Sequence, residues 1–286
     1  MTSEIVVSVV IPCFNDGQYI TEAIDSVRKQ SMAEWEVIVV DDGSTDSFTR
    51  SILDELDEER IHVQYAHHQG PAAARNQAIR SASGRYILPL DADDKIADTY
   101  LEKAARILDM DQDIEIVYCQ ADYFGLLQGK WTLKPYDKKT FVLENMIFST
   151  SMYRRSTWER VNGYSENMIY GMEDYDFWIK ILSRGGKVHR IEETLFHYRV
   201  KPKSRTASMK QDFRKLEKIS YDTLFENNIE YFCRPENTRI IFHELRKSWV
   251  RENAIRSSFI WSYFFRFIVN LEVKLQLWLK RLIGRA

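Results

Sequence analysis

Over the first hundred residues, apolar and polar positions come in blocks. Residues 61–66 read as a strand, while 5–13, continuous and β-branched, 35–40 and 85–90 are short, mainly apolar runs. Runs this short, with no polar alternation, predict strands buried on both faces. Helical spacing fills the gaps between them. In residues 19–30, Ile20, Ala23, Ile24 and Val27 share one face. Residues 47–56 and 72–81 follow as helices, with Pro71 near the first turn of the second. Strand and helix alternating in this way predict an α/β fold with a parallel sheet built from βαβ units.

The second half is less regular. Residues 97–108 read as a helix and 114–119 as a strand. Residues 121–132 read as one or two strands with a turn near Gln128-Gly129. A strand over 149–154 and a short helix over 156–161 follow, broken at Asn162-Gly163-Tyr164. Residues 173–183 are helical, with Phe177, Ile181 and Leu182 on the apolar side, and Gly185-Gly186 closes them. Residues 187–191 and 194–199 read as two edge strands. Beyond about residue 209 only helical patterns remain, over 209–227 and 238–256. The predicted division is therefore a domain over 1–208 and a helical extension over 209–286.

The extension ends in an amphipathic segment, residues 258–284. Trp261, Phe264, Ile268, Leu271, Leu275 and Trp278 share one face, and Arg266, Lys274 and Arg281 lie opposite. Its longest charge-free run, 257–265, is far short of the roughly 20 residues a spanning helix needs. Two readings fit. A basic face opposite bulky apolar and Trp residues suits the surface of an anionic membrane. The same face suits packing on the preceding domain or on a second subunit as a homodimer.

Charge sharpens this picture. From residue 246 to 286 there are nine Lys/Arg against two Asp/Glu, yet the whole chain sums to −2. An acidic body with a basic tail implies an anionic partner for the tail. Cys13, Cys119 and Cys233 are odd in number and far apart, which fits reduced thiols rather than disulfides or a zinc site. Residues 1–4 run straight into a strand without a secretory signal, so the expected place is cytoplasmic, peripheral at the inner face of the membrane.

The candidate chemistry lies where strands end. Pro12 to Asn15, Asp41-Asp42 and Asp91-Ala92-Asp93-Asp94 follow three predicted strands at their carboxyl ends. In a parallel sheet these ends share one edge, where α/β folds bind ligands. Three acids within four residues repel one another unless a cation lies among them. A hard divalent cation carrying a phosphorylated substrate answers that need; a solvated loop capping the next helix is the alternative. The first strand is not followed by Gly-x-Gly-x-x-Gly, which disfavours a dinucleotide cofactor. No nucleic-acid partner is expected.

Five stretches, in order, resemble the family 2 glycosyltransferases, inverting enzymes of the GT-A fold. They are Ser8-Val9-Val10-Ile11-Pro12-Cys13-Phe14-Asn15, Asp41-Asp42-Gly43-Ser44-Thr45-Asp46, Gly70-Pro71-Ala72-Ala73-Ala74-Arg75-Asn76, Asp91-Ala92-Asp93-Asp94, and Glu173-Asp174 with Trp178. His197-Tyr198-Arg199, with Ser204 and Ser208 beyond, is a weaker sixth. The resemblance covers roughly residues 5 to 210.

That resemblance implies a GT-A domain and a nucleoside-diphosphate sugar donor, a UDP-sugar first, with a glycan or lipid-linked acceptor. It places Pro12, Phe14, Asn15 and Asp42 around the nucleoside and Asp91 at the ribose. It assigns Mg²⁺ or Mn²⁺ to Asp93 and then Asp94, and makes Asp174 the general base. Arg75 is expected beside the acids, and Glu173 and Trp178 on the acceptor side, Glu173 as a packing or orienting partner and Trp178 either stacking on a sugar ring or filling core. Many members carry a His where Lys201 stands here. A charged lysine cannot ligate a metal, but Lys201 or Arg199 can pair with phosphate oxygens. Two other classes are carried as alternatives: a domain that binds a nucleotide sugar or glycan without turnover, and a nucleotidyltransferase. The latter usually needs a basic Gly-rich loop after the first strand, and residues 13–18 hold no Lys or Arg.

Overall fold

A computed structural model describes residues 4–56, 58–202 and 213–254. Four strands and three helices alternate at the start: β1 (Val7–Cys13), α1 (Gly17–Arg28), β2 (Trp35–Asp41), α2 (Ser47–Asp54), β3 (Ile61–Tyr65), α3 (Pro71–Ser81) and β4 (Tyr86–Pro89). They fall within a few residues of the predicted spans. The strands pair in parallel in the order β3-β2-β1-β4. β2 is buried throughout, and the valines of β1 are fully enclosed. That burial is why these strands carry no polar alternation.

The next elements are β5 (Lys95–Ile96), α4 (Tyr100–Met110), β6 (Ile114–Gly125), β7 (Gly129–Trp131), α5 (Lys138–Phe141), β8 (Met152–Arg154), α6 (Arg155–Arg160), α7 (Glu173–Leu182) and β9 (Lys187–Val200). They extend one sheet, β3-β2-β1-β4-β8-β6-β9-β5, with β7 on β6. β8 runs antiparallel to both β4 and β6, and β6 pairs with β9 in parallel.

β9 differs from the sequence reading. It is one interior strand between β6 and β5, not two edge strands. The register slips where Cys119 pairs Ile191 and Gln120 pairs Thr194, so Glu192 and Glu193 stand out of the ladder. They bond instead to Gln120 and Lys103. A bulge of two charged residues looks like a break in a sequence pattern, yet it only bends the strand. β5 and α5 were not anticipated. Two and four residues are too short to show a period.

The chain divides into two compact units, one ending at Cys233 and one beginning at Arg234. The predicted boundary after residue 208 lies outside the described residues. In the first unit, α8 (Phe213–Asn227) and α9 (Ile229–Phe232) follow β9. The buried Asp176 of α7 accepts hydrogen bonds from Asn227 (3.0 Å) and Asn228 (2.7 Å), which ties α8 to the sheet domain. The second unit opens with α10 (Pro235–Ala254), Pro235 filling a first-turn position whose N–H would be unsatisfied in any case. The amphipathic segment 258–284 lies outside the described residues. No helix among the described residues is long and apolar enough to cross a membrane.

Candidate active site

The first wall forms where β1 and β2 end. The Asp42 N–H donates to the Cys13 carbonyl (2.8 Å), so the two strand ends are tied. Asn15 adopts φ 56°, a region asparagine tolerates better than most residues. Its Oδ1 accepts from the backbone of Thr45 (2.8 Å) and Asp46 (3.2 Å), which clamps the second loop to the first. Asp41 turns inward and accepts from the Ser44 N–H (2.9 Å). Asp42 accepts from the N–H groups of Gln69 (2.8 Å) and Gly70 (2.9 Å), and His68 Nδ1 lies 2.9 Å from it. Phe14 is 39% exposed and stacks on His68 at 4.2 Å. Pro12, Phe14, Asn15 and Asp42 thus line one corner. Asn15 spends its side-chain oxygen on the loop; Asp42 Oδ2 is met by both Gly70 and His68, while Oδ1 keeps a second lone pair for an incoming donor.

The acid loop after β4 forms the second wall. β5 pairs antiparallel with β9, Lys95 opposite His197, which seats the loop against the end of that strand. The Arg199 N–H donates to Asp94 Oδ1 (2.8 Å) and Arg199 Nε to the Asp93 carbonyl (2.7 Å). The Arg199 guanidinium lies over Tyr19 and Phe124 and pairs with Glu22 at 3.0 Å. Arg199, expected at the donor, is therefore committed to holding this loop. Gly125 makes the approach feasible: at φ 89°, a Cβ there would meet the Val200 carbonyl at 2.7 Å. His197 is tied to Asp122 at 2.6 Å.

Lys201 Nζ reaches both Asp16 (2.6 Å) and Asp93 (2.9 Å). Those carboxylates outweigh burial and push Lys201 up to about 12. Burial raises Asp93 despite Lys201, with Asp91 adding to the effect. Burial, then Asp93 and Asp91, raise Asp94 well above the carboxylate range. The loop is short of positive charge. No group of three His, Cys, Asp or Glu able to hold a metal forms among the described residues. Asp93 and Asp94 each keep one oxygen that no donor among the described residues reaches. Mg²⁺ and Mn²⁺ are often held by one or two carboxylates, with phosphate and water completing the shell. This donor set fits that pattern.

The third wall is the start of α7. Arg75, 2% exposed, bridges it to the acid loop, bonding Glu173 (3.0 Å) and Asp91 (2.6 Å). Arg75 and Glu173 are both buried and act as braces. Asn76 beside it clamps residues 158–166: its Oδ1 accepts from Tyr164 N and Trp158 Nε1, and its Nδ2 donates to Tyr164 O and Glu166. Asp174 is half-buried and accepts from Asn145 Nδ2 (3.1 Å). Burial, then the Glu173 charge, push Asp174 up to about 7 against the pull of Arg75. Trp178, expected on the acceptor side, is fully buried with its indole N–H on the Ile147 carbonyl (3.0 Å). It packs against Tyr153 and Phe177 and cannot stack on a sugar.

Asp94 and Asp174 line one cleft of about 200 Å³, together with Trp131, Asn145, Phe148 and Tyr198. Two carboxylates some eighty positions apart in sequence therefore face one space. Asn145, Asp16 and Trp131 were not singled out from sequence, and Tyr198 appeared there only within the His197-Tyr198-Arg199 motif. Asp16 precedes α1 in the turn after β1, which was a usable signal; a lone Asn or Trp in an irregular stretch carries none.

A parallel half-sheet with acids at its strand ends, facing a second carboxylate across a cleft, defines an enzyme of the GT-A type. The glycosyl transferase family 2 model matches residues 8–176, and the chain belongs to that family and is a glycosyltransferase. It is 30% identical over 240 residues to an uncharacterized glycosyltransferase of Methanocaldococcus jannaschii, covering 79% of this chain and 81% of that one. It is 33% identical over 208 residues to a putative teichuronic acid biosynthesis glycosyltransferase, TuaG, of Bacillus subtilis, covering 68% and 79%. In fold it is similar to S. aureus TarS residues 1–349 in complex with UDP-GlcNAc: TM-score 0.62, 21% identity, 83% of this chain and 70% of that one.

Proposed function

We propose that this enzyme transfers a sugar from a nucleoside-diphosphate sugar, a UDP-sugar first, to a hydroxyl of a lipid-linked or growing cell-envelope glycan. Transfer is a single in-line displacement with inversion. The observation that carries this reading is Asp174 facing the cleft that Asp94 also lines. An acceptor alcohol needs a carboxylate within reach to take its proton as it attacks. Asp174 is that base. Its oxygens are aimed by Asn145 Nδ2 and the Tyr175 N–H. With Asp94 given to the cation and Asp174 to the acceptor proton, the anomeric carbon receives the acceptor oxygen directly and its configuration inverts.

On the donor side, Asp42 receives the base N–H, Phe14 and His68 form an aromatic rim, and Asp91 meets the ribose. Lys201 is placed to move from Asp93 to a phosphate oxygen. Asp93 and Asp94 would hold Mg²⁺ or Mn²⁺, and neutralising the departing diphosphate is the chemistry such an ion supplies. The UDP and UDP-GlcNAc complexes of TarS support a uridine donor. The teichuronic acid assignment of TuaG supports an envelope glycan acceptor. The basic, aromatic pattern of residues 258–284 supports a membrane-surface location.

The decisive experiment is Asp174→Asn. It is expected to lower transfer by about 10²- to 10⁴-fold while nucleotide binding, read by calorimetry, is kept. Full transfer by that variant would remove the mechanism.

A further inference from the structure

The composition of the cleft bears on what stands beside the donor. Trp131, on β7, is half-buried and lines the cleft. Its ring is backed by Tyr123, stacked at 5.3 Å and 19°, and meets Tyr198 edge-on at 5.4 Å. Tyr123 is on β6, Tyr198 on β9, and the strands are paired at those two residues. Three strands therefore fix the orientation of one indole. Leu133, Met146 and Phe148 continue the apolar wall towards Asn145 and Asp174. Among the described residues, only Asp94 and Asp174 bring charge to the lining, and no Lys or Arg is in it. The neighbouring Lys134 is held by Glu144 at 3.6 Å.

Each feature selects. A pyranose has an apolar C–H face that lies well on a rigid aromatic ring, with its hydroxyls left for polar groups at the edge. With the donor diphosphate and its cation occupying the acid loop, a phosphate or carboxylate on the acceptor would meet Asp174 and no Lys or Arg among the described lining residues, a repulsion that works against the wrong ligand. We propose that the acceptor unit bound beside the donor is an uncharged pyranose, lying on Trp131 with one hydroxyl on Asp174. Units bearing a phosphate or carboxylate are rejected at this position. The inference rests on the transferase reading above and adds the chemical class of the acceptor.

Its test is binding, so it does not depend on turnover. Neutral methyl hexopyranosides, their 6-phosphates and the matching uronates are titrated by ligand-observed NMR into the full-length protein with UDP present. Neutral glycosides are expected to bind at least about tenfold tighter than either anionic series. Trp131→Ala is expected to weaken the neutral glycosides by about tenfold and leave UDP affinity within about twofold, while Trp131→Phe keeps most of the affinity. Leu133→Arg guards against a Trp131 variant that fails to fold: an added cation in the wall should improve binding of the 6-phosphates. Equal or tighter binding of the anionic glycosides to the unaltered protein would overturn the proposal. So would unchanged neutral-sugar affinity in Trp131→Ala. If neutral sugars bind on Trp131 but no donor is ever turned over, the transfer reading fails while the sugar subsite stands.

Discussion

As the proposed base, Asp174 must be ionised to accept a proton, and its surroundings resist that. Burial and the neighbouring Glu173 push it up to about 7, while Arg75 and the Tyr175 N–H pull the other way. The base form is therefore filled only as pH rises through about 7. kcat/KM is expected to climb about tenfold per pH unit below that point and to level above it. Asn145 donates to the ionised carboxylate, so Asn145→Ala should move the acid limb upward, and a pH–rate profile reads this directly. Stability has the opposite sign. Between the unfolded value of 3.8 and about 7, the native state binds the extra proton, so stability falls as pH rises through that window. Asp174→Asn should accordingly melt at a higher temperature than the unaltered protein above pH 7, although it is the variant expected to lose transfer. Asp174 itself was legible from the acidic pair that opens a helix. Its pKa was not, since that depends first on burial, which only packing sets, and then on the balance between Glu173 and Arg75, about a hundred residues earlier.

Elements, too, are held at the site by a few buried polar groups. Arg75 sits on α3, yet it joins the loop after β4 to the start of α7. Removing it leaves two carboxylates facing each other without their cation. Arg75→Met is expected to cost about 3 kcal/mol, the low end for a broken buried pair because Asp91 is partly exposed and regains water. Urea unfolding measures that loss, and transfer should fall with it as Asp174 loses alignment. The strands β1, β2 and β4 were legible because burial on both faces leaves uninterrupted apolar runs. β9 was not, since Glu192 and Glu193 bulge out of its middle and read as a gap. Trp178 could stack on a sugar or fill core by sequence, and packing decides for the core. One helical turn after Asp174 puts it on the same side of α7, but Tyr153 and Phe177 close over it.

The whole molecule adds its division into parts and its charge. One compact unit carries every residue of the candidate site, and the basic, aromatic segment 258–284 comes after α10 in the sequence, outside the described residues. If that segment holds the enzyme at a membrane, deleting residues 261–286 should abolish co-sedimentation with anionic vesicles and leave transfer to a water-soluble acceptor intact. Binding of the truncated protein at the original level would refute the membrane role. Raising salt should weaken the binding of the full chain, because screening shortens the reach of its surplus of Lys and Arg.

The order of strands and helices, the acids at their ends and the family were all fixed by local pattern. Periodicity, turn residues and short motifs act over a few neighbouring positions, and a sequence displays them directly. What the acids face was decided only by the packed chain. The order β4-β8-β6-β9 and the Arg75 bridge bring positions eighty to a hundred residues apart to within a few ångströms. Such closeness follows from how sheet and helices fill space, and no stretch of sequence carries it alone. The same packing turned Arg199 into a support for the acid loop, placed Lys201 on Asp93, and set Trp131 in the wall of the cleft.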